Sequence, residues 1–486
     1  MDSKSSQEKH KKYLDFYETL KNNKAHDTEY WGLGIENESY LMFEQSDLVL
    51  KEFAQKNHRR ERYSVDYWLN YKPEPLKAAL DLLPPSLRLP VYVNSYMFRK
   101  TDLLGAHATT FEKNPRPNPK FSDETIDQFL RRVSPTIVKL FETTMIYDGD
   151  TFEFTTFNFY KTTVAAAVEE LKGIKQVFLA EVNAKLVSKF TIFKQPLIYP
   201  PINYGFAKFL TNPKNLAICN NGTYHINVTL PTALKPDGDI VDEAEFKRVH
   251  ANAIRAIQWI EPLLVGLYGT PDILHLLNPT YAGGSQRLGL SRYIGLGTYD
   301  TSTMEKGKLL DTFDYAKSNS YFKTLHLDSP YIPPKTTGFD VNYNKFTKHG
   351  IEIRIFDYFP EAYLESVINL ILLVCEYSVE QEIPDPRDCP EWNNLCIQTI
   401  QKGSAAPVKP SIYLKLYEVF QIPVYSCWPY FLNDTVLNLT QTLARSLYTT
   451  YKNGSICLKM SPNMKPIYLV DYNSKIKKEF AIMLKN

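Results

Sequence analysis

Cysteine is scarce in this 486-residue chain: Cys219, Cys375, Cys389, Cys396, Cys427 and Cys457 are the only six, and none forms a Cys-x-x-Cys pair. That spacing points to neither a zinc site nor a disulfide framework. Charge of one sign is lacking too. The 56 Lys and Arg against 54 Asp and Glu leave a net charge of +2, which removes the bulk electrostatic argument for a nucleic-acid coat or a basic membrane-surface protein. No run of about 18 apolar residues stands out, so no bilayer span is expected. Met1 to Lys12 carries no apolar signal core, and without one the Asn-x-Ser/Thr triplets at Asn221 and Asn453 read as chance. Repeats and low-complexity blocks are absent. With 44% hydrophobic and 23% charged residues the chain is expected to be globular, soluble and cytoplasmic, without nucleic-acid or membrane partners.

Residues 1 to about 27 read as a helix-prone polar lead-in, and Tyr30 to Phe43 as a strand. Lys72 to Lys120 is rich in proline, as in Pro84-Pro85 and Pro115, Pro117 and Pro119, and predicts loops between short strands. Asp123 to Thr143 predicts a helix broken or kinked at Pro135. Thr151 to Phe159 predicts a strand. Val164 to Leu186 predicts a long amphipathic helix with Val164, Val168, Leu171, Val177 and Val182 on its apolar stripe. A further helix is expected from Asp242 to Tyr268, ending at Gly269. A glycine-rich loop should follow from Tyr281 to Thr298, then a strand over Gly350 to Phe356 and a helix over Glu361 to Val379 after Pro360.

One anomaly recurs along these strands. Glu36 and Glu38 stand two residues apart, so both project to the face opposite Ile35. His225 and Asn227 do the same opposite Ile226 and Val228. Glu352 and Arg354 do so between Ile351, Ile353 and Ile355, and Glu153 lies between Phe152 and Phe154. Taken singly, Glu-x-Glu reads as a solvated outer face and Glu352-x-Arg354 as an exposed ion pair. Recurrence on four strands, each with an apolar reverse side, favours one ionic face instead. Carboxylates crowded there repel unless cations lie between them, and magnesium takes oxygen ligands of this kind together with substrate phosphates.

At these residues the chain resembles the bacterial type of glutamate–cysteine ligase, within the glutamine synthetase superfamily of ATP-dependent carboxylate–amine ligases. Gly34-Ile-Glu36-Asn-Glu38 is similar to the family's opening Gly-x-Glu-x-Glu strand, and Phe152-Glu153-Phe154-Thr155-Thr156 to its Leu-Glu-Phe-x-Thr strand. Asn221-Gly-Thr-Tyr-His225-Ile-Asn227-Val-Thr-Leu-Pro231 resembles its Gly-x-His-x-Asn-x-Ser segment, and Ile351-Glu352-Ile-Arg354-Ile-Phe-Asp357 its Glu-x-Arg-x-x-Asp strand. A helix with Trp259 and Pro262, and Ser285-Gln-Arg287 after it, are similar to family segments between the last two motifs. The likeness spans residues 31 to about 375. Residues 44 to 145 and those after about 385 have no counterpart.

The resemblance implies an α+β fold: a curved, mainly antiparallel sheet forming a funnel, helices on its outer face. Residues 1–385 would form the catalytic unit and 386–486 a C-terminal helical annex. It implies ATP as co-substrate, two or three Mg2+ ions (or Mn2+), and small-molecule amino-acid or amine substrates. The implied activity is γ-glutamyl transfer to an amino acid such as cysteine, hence glutathione biosynthesis. Glu36, Glu38, Glu153 and Glu352 are then expected metal ligands. His225 is a ligand or a contact to the transferred phosphoryl, Asn227 a donor to nucleotide or substrate, and Arg354 the partner of the γ-phosphoryl. Arg287, with Arg292 as its rival, would meet the substrate carboxylate or acyl phosphate. Asp148 and Asp150 are candidates for a further acidic ligand or turn residues beside Gly149. Tyr299 and Asp300, after Gly295-x-Gly297, line the pocket or form a plain turn. Asn94, Ser95 and His107 belong to an acceptor-side loop or to a structural insertion. Two other readings compete: a guanidino-kinase-like phosphotransferase and a non-catalytic nucleotide-binding descendant. Monomer and homo-oligomer remain open.

Overall fold

A computed structural model describes residues 29–46, 90–109, 116–156, 162–187, 189, 192–204, 206–209, 212–218, 222–235, 240–279, 282–290, 298–300, 341–343, 351–423 and 435–485. The expected lead-in before residue 29, residues 72–89 and 110–115 of the proline-rich stretch, Arg292 and Gly295-x-Gly297 lie outside them. The strands are β1 (Glu29–Ser39), β2 (Leu41–Phe43), β3 (Val91–Val93), β4 (Met145–Asp148), β5 (Thr151–Thr155), β6 (Leu197–Ile198), β7 (Phe206–Phe209), β8 (Asn212–Ile218), β9 (Gly222–Ala233), β10 (Thr298–Asp300), β11 (Val341–Tyr343) and β12 (Ile351–Asp357). One sheet runs β10-β11-β12-β9-β1-β5-β4, antiparallel except for β10 with β11. A second runs β6-β2-β3-β7-β8. The larger sheet does not close into a barrel, since its ends, β10 and β4, are not paired with each other. The expected Tyr30 to Phe43 strand is therefore two strands. It breaks at Tyr40, where the chain leaves one sheet and enters the other.

The face opposite the ionic residues is the core. Leu33, Ile35, Phe152, Phe154, Ile226, Val228, Ile351 and Ile353 are fully buried there, each contributing roughly 2 kcal/mol by removal from water. The Val164–Leu186 helix packs on β1 and β5, and the Glu243–Tyr268 helix on β12. On the first of these, Val177 is 44% exposed and leaves the expected stripe, which runs through Leu171, Ile174, Lys175 and Phe178 instead. The expected helix over 123–143 is two, Ile126–Val133 and Pro135–Thr143. Ser134 ends the first and caps the second through its Oγ, with Pro135 in the first turn, where its missing N–H costs nothing.

Pro262 lies inside the Glu243–Tyr268 helix and cannot donate to the Gln258 carbonyl one turn back. Trp392 Nε1 donates to that carbonyl instead at 2.8 Å, tying the Pro390–Lys402 helix to the central one. A single hydrophobic core runs through both the sheet layer and these later helices. The expected Glu361 to Val379 helix is a 3-10 turn, Glu361–Tyr363, followed by Leu364–Glu380. By length and composition, Glu361–Glu380 is apolar enough to cross a membrane, contrary to expectation, but 72% of its most apolar window is buried by protein. Cys375, Cys389, Cys396 and Cys457 are free and buried; Cys219 and Cys427 lie outside the described residues.

Gly222 opens β9 opposite Ser39 with φ +118°, and a Cβ placed on it would lie 1.6 Å from the Glu38 carbonyl oxygen. Only glycine fits both constraints. Gly222→Ala is expected to lose about 3 kcal/mol of stability in urea unfolding. A change below about 1 kcal/mol would show that β1 and β9 tolerate a side chain at that contact.

Candidate metal centre

Strand register, invisible in the sequence, arranges the ionic face in rows. Glu38 stands opposite Glu153 on β5 and opposite Thr223 on β9. Glu36 stands opposite Thr155 and His225. Asn227 stands opposite Gly34 on one side and Glu352 on the other. Between Ile353 and Phe356 the β12–β9 ladder is irregular, and Arg354 falls in that bulge. A bulge re-aims the side chain it carries.

His225 is the hub. Its Nδ1 lies 3.1 Å from Glu36 Oε2 and 3.3 Å from Glu352 Oε1; its Nε2 lies 3.8 Å from Glu38 Oε1 and 3.2 Å from Thr223 Oγ1. Arg354 Nη1 donates to Glu352 Oε1 at 2.9 Å. Glu36, His225 and Glu352 are buried, whereas Glu38 and Arg354 keep 17% and 18% of their side chains exposed. Burial lowers the His225 pKa, and Arg354 pushes the same way, against the hydrogen bond to Glu36 and the charges of Glu38 and Glu352. Glu36, Glu38, Glu153 and Glu352 bring four carboxyl groups to this face, and Arg354 pairs with one of them, Glu352. Like charges directly opposite, as at Glu38 and Glu153, destabilise a sheet. A cation among these acids would lessen that repulsion.

The donor set fits one. Ligand atoms of Glu36, His225 and Glu352 all lie within 4.8 Å of one another. Atoms bound at 2.0–2.1 Å to one ion are at most about 4.2 Å apart, so a small inward movement completes the shell. An imidazole beside two carboxylates suits Mn2+ better than Mg2+, while the oxygen-only pair Glu38 and Glu153 suits Mg2+. Beside this group Asn227 is buried, and neither its Oδ1 nor its Nδ2 has a hydrogen-bond partner. Leaving both atoms unpaired is costly unless a ligand meets them.

Arg287 is placed through Asp357, the last residue of β12. Asp357 Oδ1 accepts the Arg287 N–H at 3.0 Å; its Oδ2 accepts Ser285 Oγ–H at 2.6 Å and the Thr270 N–H at 3.1 Å. Burial pushes Asp357 up to about 6, against these donors and the Arg287 charge. The glycine-rich loop expected here contains a short helix, Gln286–Leu290. Gly283 and Gly284 press onto the backbone of the Pro390–Lys402 helix, where a Cβ on Gly284 would lie 1.7 Å from the Thr399 oxygen. Asn473 Nδ2 donates to the carbonyls of Gly269, Gly283 and Gly284, so a C-terminal helix also braces the Arg287 loop.

Of the expected site residues, Glu36, Glu38, His225, Glu352 and Arg354 thus form one chain of contacts. Asn227 and Glu153 join them by register, and Arg287 hangs from the end of the same strand. Asp150 sits after the Gly149 turn, and burial raises it to about 7 while its Oδ2 accepts from Tyr40. Asn94 caps the Ser95–Lys100 helix, Ser95 Oγ bonds the Gly149 carbonyl and His107 Nδ1 the Thr109 carbonyl, uses that fit a structural insertion. Tyr299 and Asp300 fall in β10, where Tyr299 pairs with Asn342 and so stands in the row of Glu352. Thr223 was missed, although it stands two residues before His225 on the same face.

The fold and site thus define an α+β protein whose mainly antiparallel sheet carries a carboxylate–histidine centre. No family model matches the sequence. The chain is 38% identical over 447 residues to an uncharacterized protein of Acanthamoeba polyphaga mimivirus, covering 90% of this chain and 78% of that one, and it belongs to the same family. Among solved structures it is similar to a bifunctional glutathione synthetase from Pasteurella multocida, with TM-score 0.36 and 11% identity over 96% of this chain and 54% of that one. It spans about half of that chain, and a likeness so distant bears on neither fold nor activity.

Mn2+ titrations followed by electron paramagnetic resonance should show tight binding. Glu36→Gln and Glu352→Gln should each weaken it at least about tenfold, the range in which even outer-shell changes act. Equal affinity in parent and variants would remove these ligands from the metal. On the Arg287 loop, burial raises Asp272 from 3.8 to about 7, opposed by one donor, the Leu274 N–H. The folded state holds this proton more tightly than the unfolded chain, so its contribution is full below about pH 4 and is lost as pH rises through 7. Asp272→Asn should therefore add about 2 kcal/mol more stability near pH 8 than near pH 5. An equal effect at both would show Asp272 ionised throughout.

Proposed function

We propose that the protein is an ATP-dependent carboxylate–amine ligase of the glutamine synthetase type, joining a γ-glutamyl carboxylate to an amino acid such as cysteine with release of ADP and phosphate. The observation that carries this reading is the convergence of Glu36, His225, Glu352 and Arg354 from three strands onto one face, the residues picked out by motif order.

Amide formation stalls in water because a carboxylate is a poor electrophile. In the proposed reaction a substrate carboxylate oxygen attacks the γ-phosphorus of ATP and ADP leaves. The amine nitrogen then attacks the acyl carbon, phosphate departs with the C–O bond electrons, and the amine loses a proton. Catalysis of phosphoryl transfer is mainly positioning and charge neutralisation. Bound Mg2+ or Mn2+ would neutralise phosphate charge. Glu36, His225 and Glu352 would hold one ion, Glu38 and Glu153 a second. Arg354, steadied by Glu352, presents a planar charged fork suited to phosphoryl oxygens. Asn227 offers one donor and one acceptor to nucleotide or substrate. Arg287 would bind the substrate carboxylate or the acyl phosphate; Arg292, outside the described residues, is its rival. The same reading takes residues 1–385 as the catalytic unit around a funnel-shaped sheet, 386–486 as its annex, and the cytoplasm as its location.

Incubation with ATP, Mg2+, glutamate and hydroxylamine should yield ADP, phosphate and a γ-glutamyl hydroxamate. Arg354→Ala should lower kcat/KM about 100-fold or more, the scale of one lost charge-stabilising donor. ADP with a phosphorylated acceptor and no free phosphate would favour a guanidino-kinase-like transfer. ATP binding without turnover across amino acids and amines would favour a non-catalytic descendant.

A further inference from the structure

Behind the ionic face, on the core side of the same strands, lies a lysine that the proposed chemistry does not use. Lys175 is 2% exposed, in the apolar stripe of the Val164–Leu186 helix. Its Nζ donates to Asn37 Oδ1 at 2.8 Å and forms an ion pair with Glu361. It also stands over the rings of Tyr199 and Tyr358, 4.5 and 5.9 Å from their centroids. Asn37 passes the contact on: its Nδ2 donates to the Thr223 carbonyl at 3.1 Å and to the Glu38 carbonyl at 3.3 Å.

The placement matters because β1 and β12 are not paired with each other; each pairs with β9 between them. Asn37 belongs to β1, between Glu36 and Glu38. Glu361 follows β12, four residues after Asp357. One ammonium therefore links Asn37 of β1 to Glu361 in the turn that follows β12, and the carboxylates of these two strands meet at His225. Burial disfavours its charge while Glu361 holds it, and a lysine buried this way persists only where its partners are fixed.

We propose that Lys175 is a positioning residue that sets, from the core side, the span between the β1 carboxylate Glu36 and the β12 carboxylate Glu352. This rests on the reading of that face as a metal site only for its functional consequence; the positioning itself is a matter of geometry. Metal ligands held by outer partners lose about 10- to 100-fold in affinity when those partners are removed.

The test is a pair of metal-free crystal structures, of the full-length protein and of Lys175→Met, with Mn2+ titration of both and of Lys175→Arg. In Lys175→Met the ligand atoms of Glu36, His225 and Glu352 should spread beyond their present 4.8 Å grouping, Mn2+ affinity should fall about tenfold, and Lys175→Arg should recover part of it. A grouping unchanged in Lys175→Met overturns the proposal. Should that variant not fold, Asn37→Ser keeps the Lys175–Glu361 pair and breaks the link to β1. The same spreading supports the proposal and an unchanged grouping overturns it. A parent protein that binds no Mn2+ would sink the metal reading of the face, while the two structures still decide what Lys175 does.

Discussion

Repulsion among carboxylates is the constraint on which the site depends. Two unit charges about 4 Å apart interact by about 4 kcal/mol at the effective dielectric of a protein surface, and here Glu36, Glu38, Glu153 and Glu352 share neighbouring strands. Arg354 and the shared Nδ1 of His225 relieve part of this. The opposite face of every strand is locked into the core, so the acids cannot move apart without pulling Ile35, Ile226 and Ile353 with them.

Two polar devices reinforce that lock. Asp357 gathers Thr270, Ser285 and Arg287 at the end of β12, and Asn473 brings a C-terminal helix onto the same loop. The Trp392 contact to the carbonyl freed by Pro262 does likewise for the central helix. The last hundred residues thus share the core of the sheet layer and brace the segment carrying Arg287. Breaking any of these buried links strands a polar group without water, which costs more than the bond contributes when made.

Much of this was legible in the sequence. Period-two alternation placed Glu36 with Glu38, His225 with Asn227 and Glu352 with Arg354, and the helix expected from Asp242 to Tyr268 is found as Glu243–Tyr268 with Asp242 as its cap. Register was not legible, because nothing in a strand's own sequence states which residue faces it. The pairing of Glu38 with Glu153 and the bulge at Arg354 emerge only from the sheet. Val177 was misplaced because helical spacing alone does not separate a stripe's centre from its edge. The sequence does carry a signal for the devices behind the face: Asn37 continues the core-side series Leu33, Ile35, and Lys175 interrupts Leu171 and Phe178. A polar residue in a buried series needs a partner, and that requirement points to the site from the far side.

A purely structural account of the ionic face meets a difficulty at Asn227. Evolution of a sheet toward stability alone replaces a buried amide that bonds nothing, since an apolar side chain of similar shape avoids a desolvation penalty of about 1–3 kcal/mol. Asn227 is nonetheless held opposite Glu352, two residues from His225 on the same face. A face that holds a buried, unused donor and acceptor beside its acids is incomplete as a fold. A polar ligand meeting the amide would remove that deficit, and a cation among the acids would lessen their repulsion.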